Sequence, residues 1–270
     1  MPLSGISVQV AFAPLATLPL VTLRERKKQR TRQALIDTAL EQFTARGFAG
    51  VTLDELCEAV EVSKRTFFRN FASKEEVAMA PLEDMWRGFL VELAAAEPGG
   101  RPALAVARDA LLASLDGLAD GDWAGRALLS YRLSESTASM NAHSLHFCER
   151  TTQAAIDIIR PWLDEETRER DPRPRLMVDM LVAAFRYALA GWAADTETAD
   201  IETADTGAAG TGAAGTGAAG TGTAGTGAAG AEVGKTCEEL AARLREAVGA
   251  LPASLTLTLA HQAGAGRSAP

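Results

Sequence analysis

An all-α fold is predicted by three observations on the 270-residue chain. Apolar residues recur at spacings of three and four through successive segments, and no run alternates apolar and polar residues as a half-buried strand would. A Ser or Thr followed three residues later by Glu stands ahead of three apolar stripes, at Thr52–Glu55, Ser73–Glu76 and Thr236–Glu239, where each pair can satisfy the free N–H groups of a helix start.

Residues 1–23 are uncharged and contain three prolines, so they fit neither a secretory signal with a basic start nor an unbroken spanning helix. A disordered lead is expected there. A first helix follows from Arg24, carrying Leu35, Ile36, Ala39, Leu40 and Phe43 on one face and stopping at Gly47. Thr52 opens a short helix with Leu53, Leu56 and Val60, and Ser63 opens another that ends near Phe71. Ser73 opens a longer one carrying Val77, Leu82, Met85, Trp86, Phe89 and Leu93, which Pro98, Gly99 and Gly100 end. Further helices are expected after Pro102, over 123–137 and over 139–160. Between Pro174 and Ala194 the apolar stripe is broad enough to be covered on more than one side, and Leu240, Leu244, Val248 and Leu251 mark a last helix ending at Pro252.

Between those last two helices TGAAG recurs at 206–210, 211–215, 216–220 and 226–230, with TGTAG at 221–225. Ten glycines in this stretch impose a large ordering entropy, and Ala and Thr bury little apolar area in return, so a flexible linker over 196–234 is expected. The final helix then occupies 235–252 and a disordered tail 253–270. The stretch Ala229–Thr236 ends in Gly234-Lys235-Thr236 like a phosphate-binding loop, but Ala229 replaces the first glycine and no strand precedes it, so nucleotide binding is rejected.

Hydrophobic residues at 47% and charged residues at 23% suit a globular chain and exclude both wholesale disorder and a polytopic membrane protein. Three cysteines without CxxC spacing exclude a disulfide framework and a thiolate zinc cage, which suits the cytoplasm. The net charge of −8 is unevenly placed: residues 24–74 hold 11 Lys/Arg against 7 Asp/Glu. Arg24, Arg26, Lys27, Lys28, Arg30 and Arg32 form a basic arm opposed by Glu25 alone, which asks for an anionic partner. Along the helices, His143 and His146 could share a face close to Cys148 and Glu149, yet no second ligand pair completes a metal site. No nucleophile elbow, zincin motif or paired carboxylates are found, and neither an enzyme activity nor a cofactor is expected.

Two short capped helices joined by a tight turn over residues 51–77 match a helix-turn-helix. Thr52, Val62-Ser63, Phe67-Phe68, Phe71 and Ser73-Lys74-Glu75 resemble the DNA-binding domain of the TetR family of bacterial transcription regulators, over about residues 30–80. Two glycines frequent in that family are replaced here, by Glu61 at the turn and by Arg65 early in the third helix. A left-handed backbone at Glu61 would cost on the order of 1 kcal/mol. Phe68 and Asn70 also depart from the family's usual residues.

The resemblance implies a three-helix DNA-binding head over 24–72 and a helical ligand-binding and dimerisation body from 73 to 195 and 235 to 252. It implies that Lys64, Arg65 and Thr66 face bases, that Thr52, Asn70 and Lys74 hold phosphates, and that Ser63, Phe68 and Arg69 lie on the same DNA-binding face. Trp86, Phe89, Trp123, Tyr131, Met140, His143 and Phe147 are candidates to line an effector pocket. Leu181, Phe185, Leu240 and Leu244 are candidates for the dimer interface. The function expected is a homodimeric repressor of double-stranded operator DNA, released by a small hydrophobic molecule and working away from any membrane. A metal-sensing or activating regulator, a nonspecific DNA binder and a helical enzyme are the alternatives.

Overall fold

The computed structural model describes residues 22–119, 121–164, 171–208 and 227–254. Within them the chain forms α1 (Leu23–Arg46), α2 (Leu53–Ala59), α3 (Lys64–Asn70), α4 (Lys74–Ala95), α5 (Ala103–Asp116), α6 (Trp123–Ser136), α7 (Ala138–Ile159), α8 (Arg173–Ala208) and α9 (Gly227–Ser254). Short 3-10 turns cover Phe48–Gly50 and Arg160–Trp162, and among the described residues no strand occurs.

Helix starts in the head follow from side-chain chemistry. The Thr52 hydroxyl accepts the Glu55 N–H and the Glu55 carboxylate accepts the Thr52 N–H, while Ser63 caps α3 and Ser73 caps α4 singly. Between α2 and α3, Glu61 takes φ 54°, the left-handed turn foreseen for that position. One capping box escaped the sequence reading: Thr22 and Glu25 form it, so α1 begins at Leu23 and the basic arm is the helix's own first turns. Leu35, Ile36, Leu40, Phe43, Val51, Leu56, Phe67 and Phe71 fill the head's core.

In the body α4 lies centrally, packed by α5, α6 and α7, and it also meets α1. Gly88 lets α5 come close, since a Cβ there would stand 2.5 Å from Ser114 Oγ. That hydroxyl donates to the Met85 carbonyl at 2.7 Å. Pro81 sits inside α4, where its ring removes one intrahelical bond, and its carbonyl accepts the Trp123 indole N–H at 2.8 Å. The helices α8 and α9 pack on each other, and α9 also reaches α5 and α6.

The structure corrects the interface expectation. Leu181, Phe185, Leu240 and Leu244 are all buried inside this one chain, because the broad stripe of α8 is needed first to cover α9, α7 and α5. What α8 leaves outward is a second, narrower line at Leu176, Met180, Ala183, Tyr187, Ala190 and Ala194. By length and composition Arg173–Asp195 would suffice to cross a membrane, but its inner side is packed in the core.

The boundaries of the repeat also move. Helix α8 continues to Ala208 and α9 begins at Gly227, both inside the segment 196–234 expected to be linker, and α9 runs to Ser254 past Pro252. Alanine has the highest helix propensity, so an Ala-rich stretch extends a helix whose nucleation cost is already met by packing. The lead through residue 21, the repeat at 209–226 and the tail from 255 lie outside the described residues.

Candidate functional site

One face of the head gathers seven of the nine residues that the sequence assigned to DNA, Thr52 and Lys74 excepted. Ser63, Lys64, Arg65, Phe68 and Arg69 are exposed on or next to α3, and Thr66 and Asn70 are half-buried beside them. The first turns of α1 border the same groove, where Arg24, Lys27, Lys28 and Thr31 face Ser63, Thr66, Arg69 and Asn70. Basic arm and third helix thus form one cationic surface, although they are over thirty residues apart in the chain. Phe68 is 54% exposed, an unusual cost for a large ring in water that contact with a thymine methyl would offset.

Several of these groups are held before any ligand arrives. Lys64 Nζ pairs with Asp54 Oδ1 at 2.8 Å, and this hydrogen bond raises the ammonium's pKa, yet both side chains are exposed and such a pair exchanges readily. Thr52 is exposed with its hydroxyl on Glu55. The Arg46 guanidinium, with Thr52, holds the Glu55 carboxyl down at about 2. Asn70 commits an Nδ2 proton to the Thr66 carbonyl at 2.8 Å, turning its amide back along its own helix.

Lys74 departs from its expected role. Its ammonium points inward, donating to the carbonyls of Phe48 (2.7 Å) and Val51, and lies over the rings of Phe48 and Phe43. Burial lowers its pKa. The side chain ties the segment before α2 to the start of α4, so it positions the head and does not reach for phosphate. Arg32, the last cation of the arm, is likewise withdrawn: it grips Asp84 of α4 with two hydrogen bonds at 2.6 and 2.9 Å.

In the body a cavity of about 340 Å³ opens between α4, α6, α7 and α8. Three of the seven expected residues line it, namely Trp86, Tyr131 and Phe147. The other four do not. Phe89 and Met140 are in the core on other sides of their helices, Trp123 is fixed to the Pro81 carbonyl, and His143 stands behind Glu83. Phe185, expected at an interface, lines the cavity instead, its ring 5.1 Å from that of Trp86. Helical spacing could pick out these aromatics but not the side of the helix bundle on which each would close.

The residue that sequence reasoning missed is Glu83, only 3% exposed yet lining the cavity. Its carboxylate receives Arg87 Nη2 at 2.5 Å and His143 Nε2 at 2.7 Å, and this bond to Glu83 raises the His143 pKa. Arg87 also donates to Asp84 at 2.7 Å, and Asp84 holds Arg32. A continuous chain of ion pairs therefore runs from the cavity wall to α1 of the head. The signal for it was Glu83-Asp84 followed by Arg87 at three- and four-residue spacing. Arg186, also at the cavity, is the one charge between Met180 and Ala194, which was its only signal.

His143 is engaged by Glu83 and Glu149 by Arg175, and among the described residues no three His, Cys, Asp or Glu side chains gather around one point. Ala229–Thr236 lies inside α9, so no phosphate-cradling loop precedes a helix start there.

Comparison with known proteins agrees with this geometry. The family described as bacterial regulatory proteins, tetR family, matches residues 35–80, spanning most of the head and the start of α4. The HTH-type transcriptional regulator TcmR of Streptomyces glaucescens is 38% identical over 183 residues, covering 65% of this chain and 79% of that one. MftR of Mycobacterium tuberculosis is 33% identical over 69 residues, 26% of this chain and 31% of its own. Among solved structures, the TetR-family repressor FadR of Thermus thermophilus, in complex with lauroyl-CoA, aligns over 86% of this chain and 99% of that one. Its TM-score is 0.46 at 19% identity, too distant to bear on a ligand. With its helix-turn-helix head, its helical body and a relative matched over most of its length, the chain belongs to the tetR family of bacterial regulatory proteins.

Proposed function

We propose that this regulator is a homodimeric repressor that leaves its operator when a small, largely apolar molecule enters the body cavity, and that it works in the cytoplasm. The observation that carries this reading is that one helix serves both ends: on α4, Glu83 lines the cavity and the adjacent Asp84 grips Arg32 of the head. A molecule that displaces Glu83 or Trp86 pulls on the chain of ion pairs that sets the angle of α1 and, through it, of α3. Arg65, Thr66 and Lys64 would read bases, with Arg69 and the first turns of α1 on phosphates.

Dimerisation would use the outward line of α8, not the buried residues expected from sequence. Leu176, Met180, Ala183, Tyr187, Ala190 and Ala194 follow one another at spacings of four, three, four, three and four, the seam that a second helix fills. A two-fold pair of heads would then meet half-sites about one turn, roughly 34–36 Å, apart.

Selection of bound fragments from the host genome, followed by footprinting, tests the reading. A two-fold symmetric site with half-sites one turn apart is expected, placed over a promoter. Equal affinity for all fragments would leave only a nonspecific binder.

A further inference from the structure

The floor of the body cavity is apolar and buried, with Met79, Leu82, Trp86, Phe147 and Phe185. The buried polar groups beside it are already engaged. Glu83 has one oxygen on Arg87 and the other on His143, and the Ser134 hydroxyl donates to the Tyr131 carbonyl at 2.7 Å. A guest therefore meets no free charge at the floor, and its polar end has to be recognised at the mouth.

Arg186 is the cation placed to do this. It lines the cavity from α8, exposed at the mouth, and among the described residues its guanidinium has no hydrogen-bond or ion-pair partner. Water solvates it in the empty protein, so its five donors stay available to a guest. Its charge reaches both neighbouring helices. Burial and Glu135 raise the Tyr131 pKa on α6, burial raises that of Cys148 on α7, and Arg186 opposes the rise at each. The Tyr131 hydroxyl and the Asn141 amide add two further donors at the same mouth, against which Glu135 is the one free carboxylate in the lining.

We propose that the effector is an organic anion, an apolar ring system carrying a carboxylate or an acidic phenol, with Arg186 as its counter-ion and its rings among Trp86, Phe147 and Phe185. The inference rests on the reading of this cavity as the effector site. A planar guanidinium holds a carboxylate through two parallel hydrogen bonds, and an apolar floor beneath the pair strengthens the attraction. A cationic guest finds no such partner deeper in, because the Glu83 charge is already met by Arg87 and His143. Glu135 repels the anion and so trims its affinity, or accepts from a hydroxyl on the same rings.

Three probes that share one ring system and differ in charge test this: naphthoate, naphthamide and naphthylmethylammonium. Calorimetry at one neutral pH gives their affinities. N-ethylmaleimide labelling followed by mass spectrometry places them, because Cys148 lines the cavity and is partly exposed, whereas Cys57 and Cys237 are buried. Naphthoate should protect Cys148 and bind at least about tenfold tighter than the amide, with the amine weakest. Arg186→Gln should erase the preference for naphthoate, Arg186→Lys should keep part of it, and Glu135→Gln should widen it about two- to threefold. Cys57 and Cys237 that stay unlabelled report that each variant is folded.

If Arg186→Gln fails to fold, the order of the three probes on the unaltered chain and on Arg186→Lys decides the matter. Equal affinity for all three with Cys148 protected, or tightest binding of the amine, overturns the anionic effector and leaves the cavity reading standing. A preference for naphthoate that survives Arg186→Gln overturns the role of Arg186. If no probe protects Cys148 at millimolar concentration, the cavity takes no aromatic guest and both readings fall.

Discussion

The head and the body of this regulator bury apolar side chains equally well but use them for different ends. In the head, Phe43, Phe67 and Phe71 lock three helices into one solid core, and the groups that would meet DNA stand on its outside. In the body, Trp86, Phe147 and Phe185 surround a space of about 340 Å³, and the groups that would meet an effector stand on the inside. A protein that must present a fixed surface can fill its core, whereas one that must respond to a guest has to leave packing energy uncollected until the guest arrives.

The largest expected effect tests that contrast directly. Phe67→Ala should cost about 3–5 kcal/mol and abolish DNA binding, because a full ring is removed from a filled core. Phe185→Ala enlarges a space that already exists and forfeits contacts on one side only, so about 2–3 kcal/mol is expected, with DNA binding retained. Urea unfolding with gel-shift assays measures both, and a costlier Phe185 change would break the comparison.

Two cations of the head sharpen it next. Lys74→Ala removes a donor from the Phe48 and Val51 carbonyls and should lower stability by about 1.5–3 kcal/mol, lowering DNA affinity only as far as the head loosens. Arg65→Ala should leave the melting temperature unchanged and cost roughly 1–3 kcal/mol on the preferred site. Comparing the salt slopes separates them further, since a lysine that touches no phosphate leaves the slope unaltered.

The chain of ion pairs joining head to body predicts a pH dependence. His143 has its pKa raised by the hydrogen bond to Glu83, with Glu76 and Glu75 adding to the effect. Its contribution to stability is therefore complete below the free value near 6.5 and is lost as pH rises through the raised value. Part-exposure of the ring limits the loss to about 1 kcal/mol. Urea midpoints between pH 6 and 9 should show the decline in the parent and its absence in His143→Gln. An unchanged slope in the variant would mean that another group titrates.

The smallest effect concerns the turn of the helix-turn-helix. Glu61 holds φ 54°, so Glu61→Gly should raise stability by up to about 1 kcal/mol without moving α3. A lower melting temperature for the glycine variant would show that the Glu61 side chain contributes more than its backbone strain removes.

The sequence by itself determined what is local. Period, caps and stops placed the head's second and third helices and the start of α4, where Thr52–Glu55, Ser63 and Ser73 act as their spacing to the next turn said they would, since capping reaches only three residues along the chain; Thr236–Glu239, expected to start the last helix, lies inside α9 instead. The exposed face of α3 was legible for the same reason: a seven-residue helix with Phe67 buried has few ways to orient Arg65, Phe68 and Arg69. Tertiary structure alone decided which way a long side chain turns when two environments compete for it. Lys74 found two carbonyls and two rings from a segment over twenty residues earlier, and Arg32 found Asp84 fifty-two positions away. It decided likewise that Leu181, Phe185, Leu240 and Leu244 cover their own chain. An apolar stripe specifies that burial must occur, and only the arrangement of neighbouring helices specifies against what.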